Sequence, residues 1–221
     1  MTKTRIIGDI HGKWYDYQVI TSSVKNSIQV GDFGIGFAGD YWHDRVHDYH
    51  RENRGHRFIR GNHDNPHKCK SEMNGYIDDG TVENDVMFIG GAWSIDHQWR
   101  VEGQDWWSDE ELSYEELDRM ISLYDMVRPT VMITHDCPTT VSYEMFVKNG
   151  KSLAGRKQFK TRTGEALQRM FEIHQPKFWF FGHWHHTKEM DINGTHFHCL
   201  GECDYVDFEL EKKEYVKNGK L

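Results

Sequence analysis

The stretch RIIGDIHG at residues 5–12 joins a short apolar run, through Gly8, to the side chains of Asp9 and His11. A short apolar run that stops at a glycine is typical of a buried β-strand. In open α/β sheets, functional sites are built by the loops that follow the carboxyl ends of the strands. The stretch therefore predicts a strand that ends directly in functional side chains.

Further segments repeat this pattern of a short strand followed by residues that can bind a metal. They are Gly31-Asp32-Phe33-Gly34, Gly61-Asn62-His63-Asp64, Thr134-His135-Asp136 and Gly182-His183-Trp184-His185. The gaps between Asp9, Asp32 and Asn62 leave room for strand, crossover and strand. Oxygen and imidazole ligands from separate loops can hold two divalent cations, so the pattern predicts a two-metal hydrolytic site.

The rest of the chain alternates short apolar runs with amphipathic segments, which is typical of an α/β fold. The capping box SYEE at residues 113–116 begins one helix, and Pro129 should end it. Other helices are expected at residues 14–24, within 41–53 and at 163–174. Strands are expected at residues 5–7, 27–30, 57–60, 86–89, 131–133, 177–181, 188–192, 195–200 and 205–210.

Length and charge limit the fold and the partners. At 221 residues the chain is expected to form a single domain, residues 1–221. We expect an acidic, tryptophan-containing insertion at about 92–113 and a basic loop at about 138–163. The net charge of −8 argues against broad electrostatic capture of nucleic acid. The basic loop keeps a nuclease as a disfavoured alternative.

Cysteine usage and hydropathy bear on the compartment. The four cysteines have irregular spacing without a CxxC motif, so we expect reduced thiols in the cytoplasm. The N-terminus has no apolar signal region, and no stretch approaches 18 apolar residues. Neither secretion nor a membrane span is expected.

With its motifs in this order over residues 8–185, the chain resembles the calcineurin-like metallophosphoesterases. The resemblance implies an α/β fold, a four-layer αββα sandwich of two mixed β-sheets flanked by helices. It implies that one metal is bound by Asp9, His11 and His185, that the other is bound by Asn62, His135 and His183, and that Asp32 bridges both. The donor set lacks thiolate and favours manganese, with iron and zinc as alternatives.

The resemblance also implies a mechanism, in which hydroxide bridging the two metals attacks phosphorus. His63 would protonate the leaving group or stabilise the transition state, and Asp64 could orient His63. The alternative for His63 is a structural, hydrogen-bonded histidine.

The second motif departs from one branch of the family. Protein serine/threonine phosphatases have an arginine there that grips phosphate, and residues 31–36 of this chain lack it. Arg100 could replace that arginine, because a guanidinium matches two phosphoryl oxygens, or it could pair with the surrounding acids. The segment from Gly91 to Ser113 looks more like a bacterial and phage branch.

These observations predict an enzyme that hydrolyses phosphoesters, with a preference for phosphodiesters. The expected substrate is a small phosphoester or a nucleotide, and the oligomeric state stays open. One alternative is a phosphomonoesterase acting on phosphoprotein or nucleotide. The alternative from another class is a binding scaffold that kept the fold and lost catalysis.

Two weaker patterns have competing interpretations. Trp106 and Trp107 could stack on a base or aryl group, or could anchor the insertion against the domain. A second pattern, a dense set of His196, His198, Cys199 and Cys203, could hold a structural zinc, although strand alternation would put Cys199 on the opposite face from the two histidines.

Overall fold

Two β-sheets form the centre of the described part of the chain, which is residues 3–37, 43–148 and 160–216 of a computed structural model. The strands are β1 (Thr4–Ile7), β2 (Asn26–Gln29), β3 (His56–Phe58), β4 (Val82–Glu83), β5 (Val86–Ile89), β6 (Val131–Thr134), β7 (Phe178–Phe181), β8 (Lys188–Ile192), β9 (Thr195–Cys199), β10 (Tyr205–Glu209) and β11 (Glu214–Tyr215). The α-helices are α1 (Trp14–Thr21), α2 (His43–Glu52), α3 (Pro66–Glu72), α4 (Tyr114–Val127), α5 (Thr139–Ser142) and α6 (Arg162–Ile173).

Both sheets are mixed: antiparallel strands form one edge of the first sheet and both edges of the second, and the other strands are parallel. The first sheet has the order β11-β10-β1-β2-β3, and β1, β2 and β3 are parallel. The second has the order β4-β5-β6-β7-β9-β8, and β5, β6, β7 and β9 are parallel. All carboxyl ends of parallel neighbours lie at the same edge of their sheet, which is where loops build a site.

The central strands are buried on both faces, and alternation along each strand sends neighbouring side chains into different layers. Ile6 packs between the two sheets, whereas Ile7 packs against helices outside the first sheet. In the second sheet, Phe180 packs between the sheets, whereas Trp179 and Phe181 face outward. The two sheets therefore share one apolar interface, and each has a further apolar face to cover.

Helices cover those outer faces. Trp14 and Tyr17 of α1 pack with Val46 of α2 outside the first sheet. Tyr124 of α4 and Leu167 of α6 pack outside the second sheet. The expected four-layer αββα sandwich is confirmed, and its three apolar interfaces follow from strands that are apolar on both faces.

Most expected elements are present within a few residues of their predicted bounds. The capping box is formed, since Ser113 Oγ accepts from Glu116 N and the Glu116 carboxylate accepts from Ser113 N. The helix ends at Val127, and Arg128 turns into the left-handed region with φ of 43° ahead of Pro129. Asn193-Gly194 forms the hairpin turn between β8 and β9, with φ of 50° and 87°.

Several elements were missed by the sequence analysis. Helix α3 begins with Asn65 as its cap and Pro66 at its first position, a signal that the sequence did carry. The short strands β4 and β11 contain two residues each, too few for a periodic pattern. β4 pairs with β5, and β11 pairs with β10, through backbone hydrogen bonds at the edge of each sheet.

The prediction of a loop at about 138–163 is wrong in its first part. Helix α5 and a π-helical turn at Tyr143–Val147 occupy that part, and α6 already begins at Arg162. Residues 149–159 lie outside the described residues. The described bases are ion-paired, Lys148 with Glu144 at 2.7 Å and Lys160 with Glu165 at 3.3 Å.

Two expectations about composition can be compared with the structure. All four cysteines are free thiols, and three of them are buried. Across the described ranges, no helix is long and apolar enough to span a lipid bilayer.

Truncation of a side chain between helix α6 and the second sheet should measure how much this helix contributes to the free energy of unfolding. Leu167 is fully buried against the second sheet. We expect Leu167→Ala to lower the free energy of unfolding by about 2–5 kcal/mol, because the cavity adds to the lost transfer energy. Met126→Ala, at an exposed position of α4, is the control and should change it by less than about 0.5 kcal/mol. Urea denaturation of both variants is the measurement, and equal losses would contradict the layer assignment.

Candidate metal centre

A first group of metal-type ligands follows strands of both sheets. Asp9 and His11 come from the loop after β1, Asp32 from the loop after β2, and His185 from the loop after β7. Their ligand atoms lie within 4.8 Å of one another. His185 Nε2 is 3.3 Å from Asp9 Oδ2, and 2.9 Å from His11 Nε2. Such short imidazole–carboxylate distances are those of side chains that surround a shared cation.

A second group lies beside the first. The carbonyl oxygen Oδ1 of Asn62 is 3.1 Å from His135 Nε2 and 2.9 Å from His183 Nδ1. His135 Nε2 is also 3.3 Å from Asp32 Oδ1. The loops after β3, β6 and β7 supply these three side chains. The structure thus brings together all seven side chains that the sequence singled out as metal ligands.

Asp32 joins the two groups. Its Oδ1 faces His135 at 3.3 Å, and its Oδ2 faces His11 Nε2 at 3.7 Å. The carboxylate is buried, and Oδ1 also accepts the backbone N–H of His63 at 2.7 Å. A carboxylate with one oxygen turned to each group has the position that a bridging ligand requires.

The backbone at these loops adopts conformations that most residues avoid. His11, Asp32, His183 and His185 have φ between 47° and 64°. Such left-handed conformations of non-glycine residues cost on the order of 1–3 kcal/mol each and concentrate at functional sites. The surrounding strands hold them in place, so the side chains converge despite the strain.

Two glycines are needed for close approach rather than for a turn. A Cβ at Gly61 would overlap Asp32 Oδ1, and a Cβ at Gly182 would overlap Asp9 Oδ1. Both glycines precede a proposed ligand in sequence, which explains why they are part of the sequence pattern. The backbone at these glycines therefore packs directly against each carboxylate.

Burial and close neighbours shift the pKa values of the centre. Burial opposes ionisation of Asp32, but the neighbouring His135, His63 and His11 hold its pKa well below the usual range. Burial opposes protonation of His135, but Asp32 and Asp9 raise its pKa to about 10. Burial raises the pKa of Asp9, and the Asp32 carboxylate adds to the effect. Without cations the Asp32 carboxylate and the His135 imidazolium thus offset one another, and divalent cations would supply the positive charge that ionisation of the buried Asp9 requires.

The donor set fits divalent cations of borderline softness. It offers two carboxylates, four imidazoles and one amide oxygen without a thiolate. His135 Nδ1 donates to the backbone oxygen of Val30 at 2.8 Å, so the proton that a bound metal would displace is the one on Nε2, which faces Asp32 and Asn62. A hydrogen bond of this kind fixes the ring in the tautomer that binds a metal.

A buried relay behind Asn62 was missed by the sequence analysis. Asn62 Nδ2 donates to Ser94 Oγ at 3.0 Å, and Ser94 Oγ donates to Glu110 at 2.5 Å. Glu110 also accepts the backbone N–H of Ser94 at 2.7 Å. This relay turns the amide nitrogen of Asn62 away from the centre and its oxygen toward the histidines. Ser94 and Glu110 lie in the insertion, so part of its role is to orient a proposed ligand.

Asp64 has a different position from the one expected. Its carboxylate accepts backbone N–H groups of Phe33 at 3.1 Å, Gly34 at 2.7 Å, Ile35 at 2.8 Å and Gly61 at 2.8 Å. Within the described ranges it makes no hydrogen bond to His63, so the hypothesis that Asp64 orients His63 is not supported. Asp64 instead ties the loop after β2 to the loop after β3.

His63 and Arg100 lie together at the rim of the centre. The ring of His63 packs edge-on against His11 with centroids 4.8 Å apart, and stacks on Phe37 at 4.7 Å. Arg100 Nη2 is 3.3 Å from His63 Nε2, and Arg100 is also paired with Asp96 at 2.7 Å. Burial lowers the pKa of His63 to about 4, with the opposing Asp32 charge outweighed. Arg100 therefore pairs with an acid, as one hypothesis for it expected, and its role as a phosphate-binding arginine stays a prediction.

The other candidate residues from the sequence, in the insertion and in the possible zinc set, do not belong to the metal centre. Trp107 is buried and 6.2 Å from Phe37, which favours anchoring of the insertion over base stacking. The zinc set with two cysteines is not formed. Cys199 packs in the outer core of the second sheet, opposite the face of His196 and His198. Cys203 packs at the edge of the core outside the first sheet.

Comparisons with known proteins bear on the family and the fold. A family model described as calcineurin-like phosphoesterase matches residues 2–187. No curated protein sequence matches the chain. A protein assigned as a 5'-nucleotidase from Staphylococcus aureus has a TM-score of 0.53 and 14% identity, with coverage of 97% of this chain and 52% of that one. At this identity the likeness shows the fold alone.

Two further solved structures are more distant. GAP50, the anchor in the inner membrane complex of Plasmodium, has a TM-score of 0.49 and 11% identity over 100% of this chain and 89% of its own. A Thermotoga maritima protein solved by NMR has a TM-score of 0.43 and 12% identity over 98% of this chain and 96% of its own.

The relay behind Asn62 gives a test of the centre. Ser94→Ala removes the acceptor of Asn62 Nδ2 and lets the amide rotate. We expect the affinity for activating metal to fall about 10–100-fold, the usual cost of losing an outer hydrogen bond to a metal ligand. Ser71→Ala, at an exposed position of α3, is the matched control. Calorimetric titration of metal-free protein with Mn²⁺ measures the affinity of both variants. An unchanged affinity in Ser94→Ala would show that the relay does not orient Asn62 for metal binding.

Proposed function

We propose, from the premise that this chain belongs to the calcineurin-like phosphoesterase family, that its centre holds two divalent cations and hydrolyses phosphodiesters. The single observation that supports two cations is the position of Asp32. One of its oxygens faces each group of ligand-type side chains. The residues that would hold the first cation are Asp9, His11, Asp32 and His185, and those that would hold the second are Asp32, Asn62, His135 and His183.

The metals and the protein have separate tasks. When bound, two divalent cations supply charge that lowers the pKa of a water molecule and offsets the charge that builds up on phosphoryl oxygens. The protein holds the ligand atoms in advance, since the Val30 carbonyl, the Ser94 hydroxyl and the backbone N–H of His183 fix the orientation of His135, Asn62 and Asp9. Preorganisation of this kind avoids reorganisation during the reaction. We keep manganese as the expected metal, with iron and zinc as alternatives.

His63 and Arg100 are proposed to act on the substrate. His63 Nε2 lies at the rim of the centre, where it can hydrogen-bond the leaving-group oxygen of a phosphoester. The guanidinium of Arg100 brings a positive charge to the same place. Since Asp96 already neutralises part of that charge, the site suits a phosphodiester with one negative charge better than a monoester with two.

Two alternatives remain distinct from this proposal. A phosphomonoesterase acting on phosphoprotein or nucleotide would use the same metals and differ in the substrate contacts. A non-catalytic scaffold is disfavoured for two reasons. All seven ligand-type side chains converge, and the backbone at four of them adopts strained left-handed conformations. We further propose a cytoplasmic location, in line with the free cysteines.

The proposal predicts a specific substrate preference. Metal-free protein reloaded with Mn²⁺ should hydrolyse bis-p-nitrophenyl phosphate with a kcat/KM at least about 10-fold above that for p-nitrophenyl phosphate, because a difference near 1.4 kcal/mol in transition-state binding gives this ratio. Chelation with EDTA and the variant Asp32→Asn should abolish both activities. Asp44→Asn, on an exposed part of α2, is the control.

The result decides between the three functions. A reversed preference would favour the phosphomonoesterase. Absence of hydrolysis with any mono-, di- or cyclic phosphate, in protein that binds Mn²⁺, would favour the scaffold.

Arg100 gives a separate test of substrate binding. Arg100→Ala should lower kcat/KM for the diester about 10–100-fold, the usual effect of losing a charged hydrogen bond worth about 1.5–3 kcal/mol. Arg119→Ala is the control, because it removes the same charge from a solvent-exposed pair with Glu115. Steady-state kinetics with the diester measure both variants. Unchanged KM and kcat in Arg100→Ala would show that Arg100 serves only its pair with Asp96.

A further inference from the structure

A second cluster of metal-type ligands lies on the hairpin of β8 and β9. The strands pair antiparallel, with Glu189 opposite His198 and Asp191 opposite His196. Side chains at these positions point to the same face of the hairpin. The other face packs in the outer core through Met190, Phe197 and Cys199. Two histidines and two carboxylates therefore share the opposite face, where the two histidine rings lie beside Phe178, Phe180 and Tyr215 at the margin of the core between the sheets.

Three of these side chains have ligand atoms close enough to hold one cation. Glu189 Oε2 is 3.3 Å from His196 Nε2, and Glu189 Oε1 is 3.6 Å from His198 Nδ1. The three ligand atoms lie within 4.8 Å of one another. Within the described residues, Glu189 and Asp191 approach these histidines and form no ion pair with lysine or arginine.

His196 is oriented as a metal ligand is. Its Nδ1 donates to Asp191 Oδ1 at 2.8 Å, which leaves the lone pair on Nε2. Nε2 is buried and has no hydrogen-bond partner, because its approach to Glu189 lacks hydrogen-bond geometry. A carboxylate that holds one ring nitrogen while the other faces acidic oxygen is the usual outer support of a metal-bound histidine. A buried nitrogen without a partner is costly, and a cation would satisfy it.

His198 completes the set from a more buried position. Its side chain is 6% exposed, and its Nδ1 is 3.1 Å from the hydroxyl of Tyr215. Tyr215 belongs to β11 of the first sheet, so the cluster lies where the rim of the second sheet meets the first. Glu189 is half exposed, so an ion can reach the cluster from solvent.

The cluster is separate from the metal centre. His196 pairs with Phe178, the first residue of β7, whereas the centre lies beyond the last residue of that strand. Since β7 and β9 are parallel, the cluster is toward the opposite edge of the sheet.

We propose that Glu189, His196 and His198 form a further metal site that takes a single Zn²⁺ ion. Two imidazoles and one carboxylate are a ligand set that zinc uses, with a fourth position left for water. Asp191 supports the site through His196. The ion would bind strands β8 and β9 together at the edge of the second sheet, where an edge strand has a neighbour on one side alone.

A stoichiometry difference tests the site, since zinc also suits the metal centre. Metal-free full-length protein is saturated with Zn²⁺, freed of excess ion, and analysed by elemental mass spectrometry. We expect His196→Gln and Glu189→Gln each to bind about one zinc ion less per chain than the unaltered protein, because each removes a ligand from a three-residue set. His67→Gln and Glu211→Gln, at exposed positions, are matched controls that should lose none.

Further readouts keep the result independent of the proposed function. Phosphodiester hydrolysis with Mn²⁺ should be unchanged in His196→Gln and Glu189→Gln. Added Zn²⁺ should raise the melting temperature of Asp32→Asn, and should not raise it when His196→Gln is combined with Asp32→Asn. Equal zinc content in His196→Gln and the unaltered protein would overturn the proposal, whether or not the enzyme is active.

Discussion

The arrangement of the site depends on the burial of two carboxylates, Asp9 and Asp32, where the edges of two sheets meet. Taking a carboxylate out of water is costly unless positive charge and hydrogen bonds replace the lost hydration. The protein supplies one imidazolium, from His135, and backbone N–H groups from His63 and His183. That compensation is incomplete without cations, and the neighbouring imidazole and amide groups are arranged to receive them.

The sandwich makes this arrangement rigid. Strands that are apolar on both faces fill three interfaces, so the loops after β1, β2, β3, β6 and β7 start from fixed positions. Rigid strand ends can hold loop residues at positive φ, a conformation that an unsupported loop would leave. Asp64 adds a second constraint, because four backbone amides from two loops share its carboxylate. Fold stability and site geometry therefore depend on the same contacts.

The insertion after β5 contacts both a proposed metal ligand and the residue proposed to act on the substrate. Glu110 and Ser94 reach inward and orient Asn62, while Arg100 and Asp96 lie beside His63. One segment thus sets both the direction of a proposed ligand and the charge at the rim. This double role explains why the insertion is acidic and yet carries an arginine, since Asp96 and Glu110 each have a specific partner.

The sequence by itself determined most strands and helices and the clusters of ligand-type residues, whereas the layer order and the set of seven ligands came from its resemblance to a known family. Apolar runs, caps and glycine–acid pairs are local signals, and the site residues directly follow them. The sequence could not determine the partners of Asp64, the relay from Glu110 to Asn62, or the grouping of His196 with Glu189 instead of the two cysteines. Those contacts join residues distant in the chain, and each depends on loop paths and strand register. Only the tertiary structure decided them, because a side chain's hydrogen-bond partners are set by the space the packed sheets leave around it.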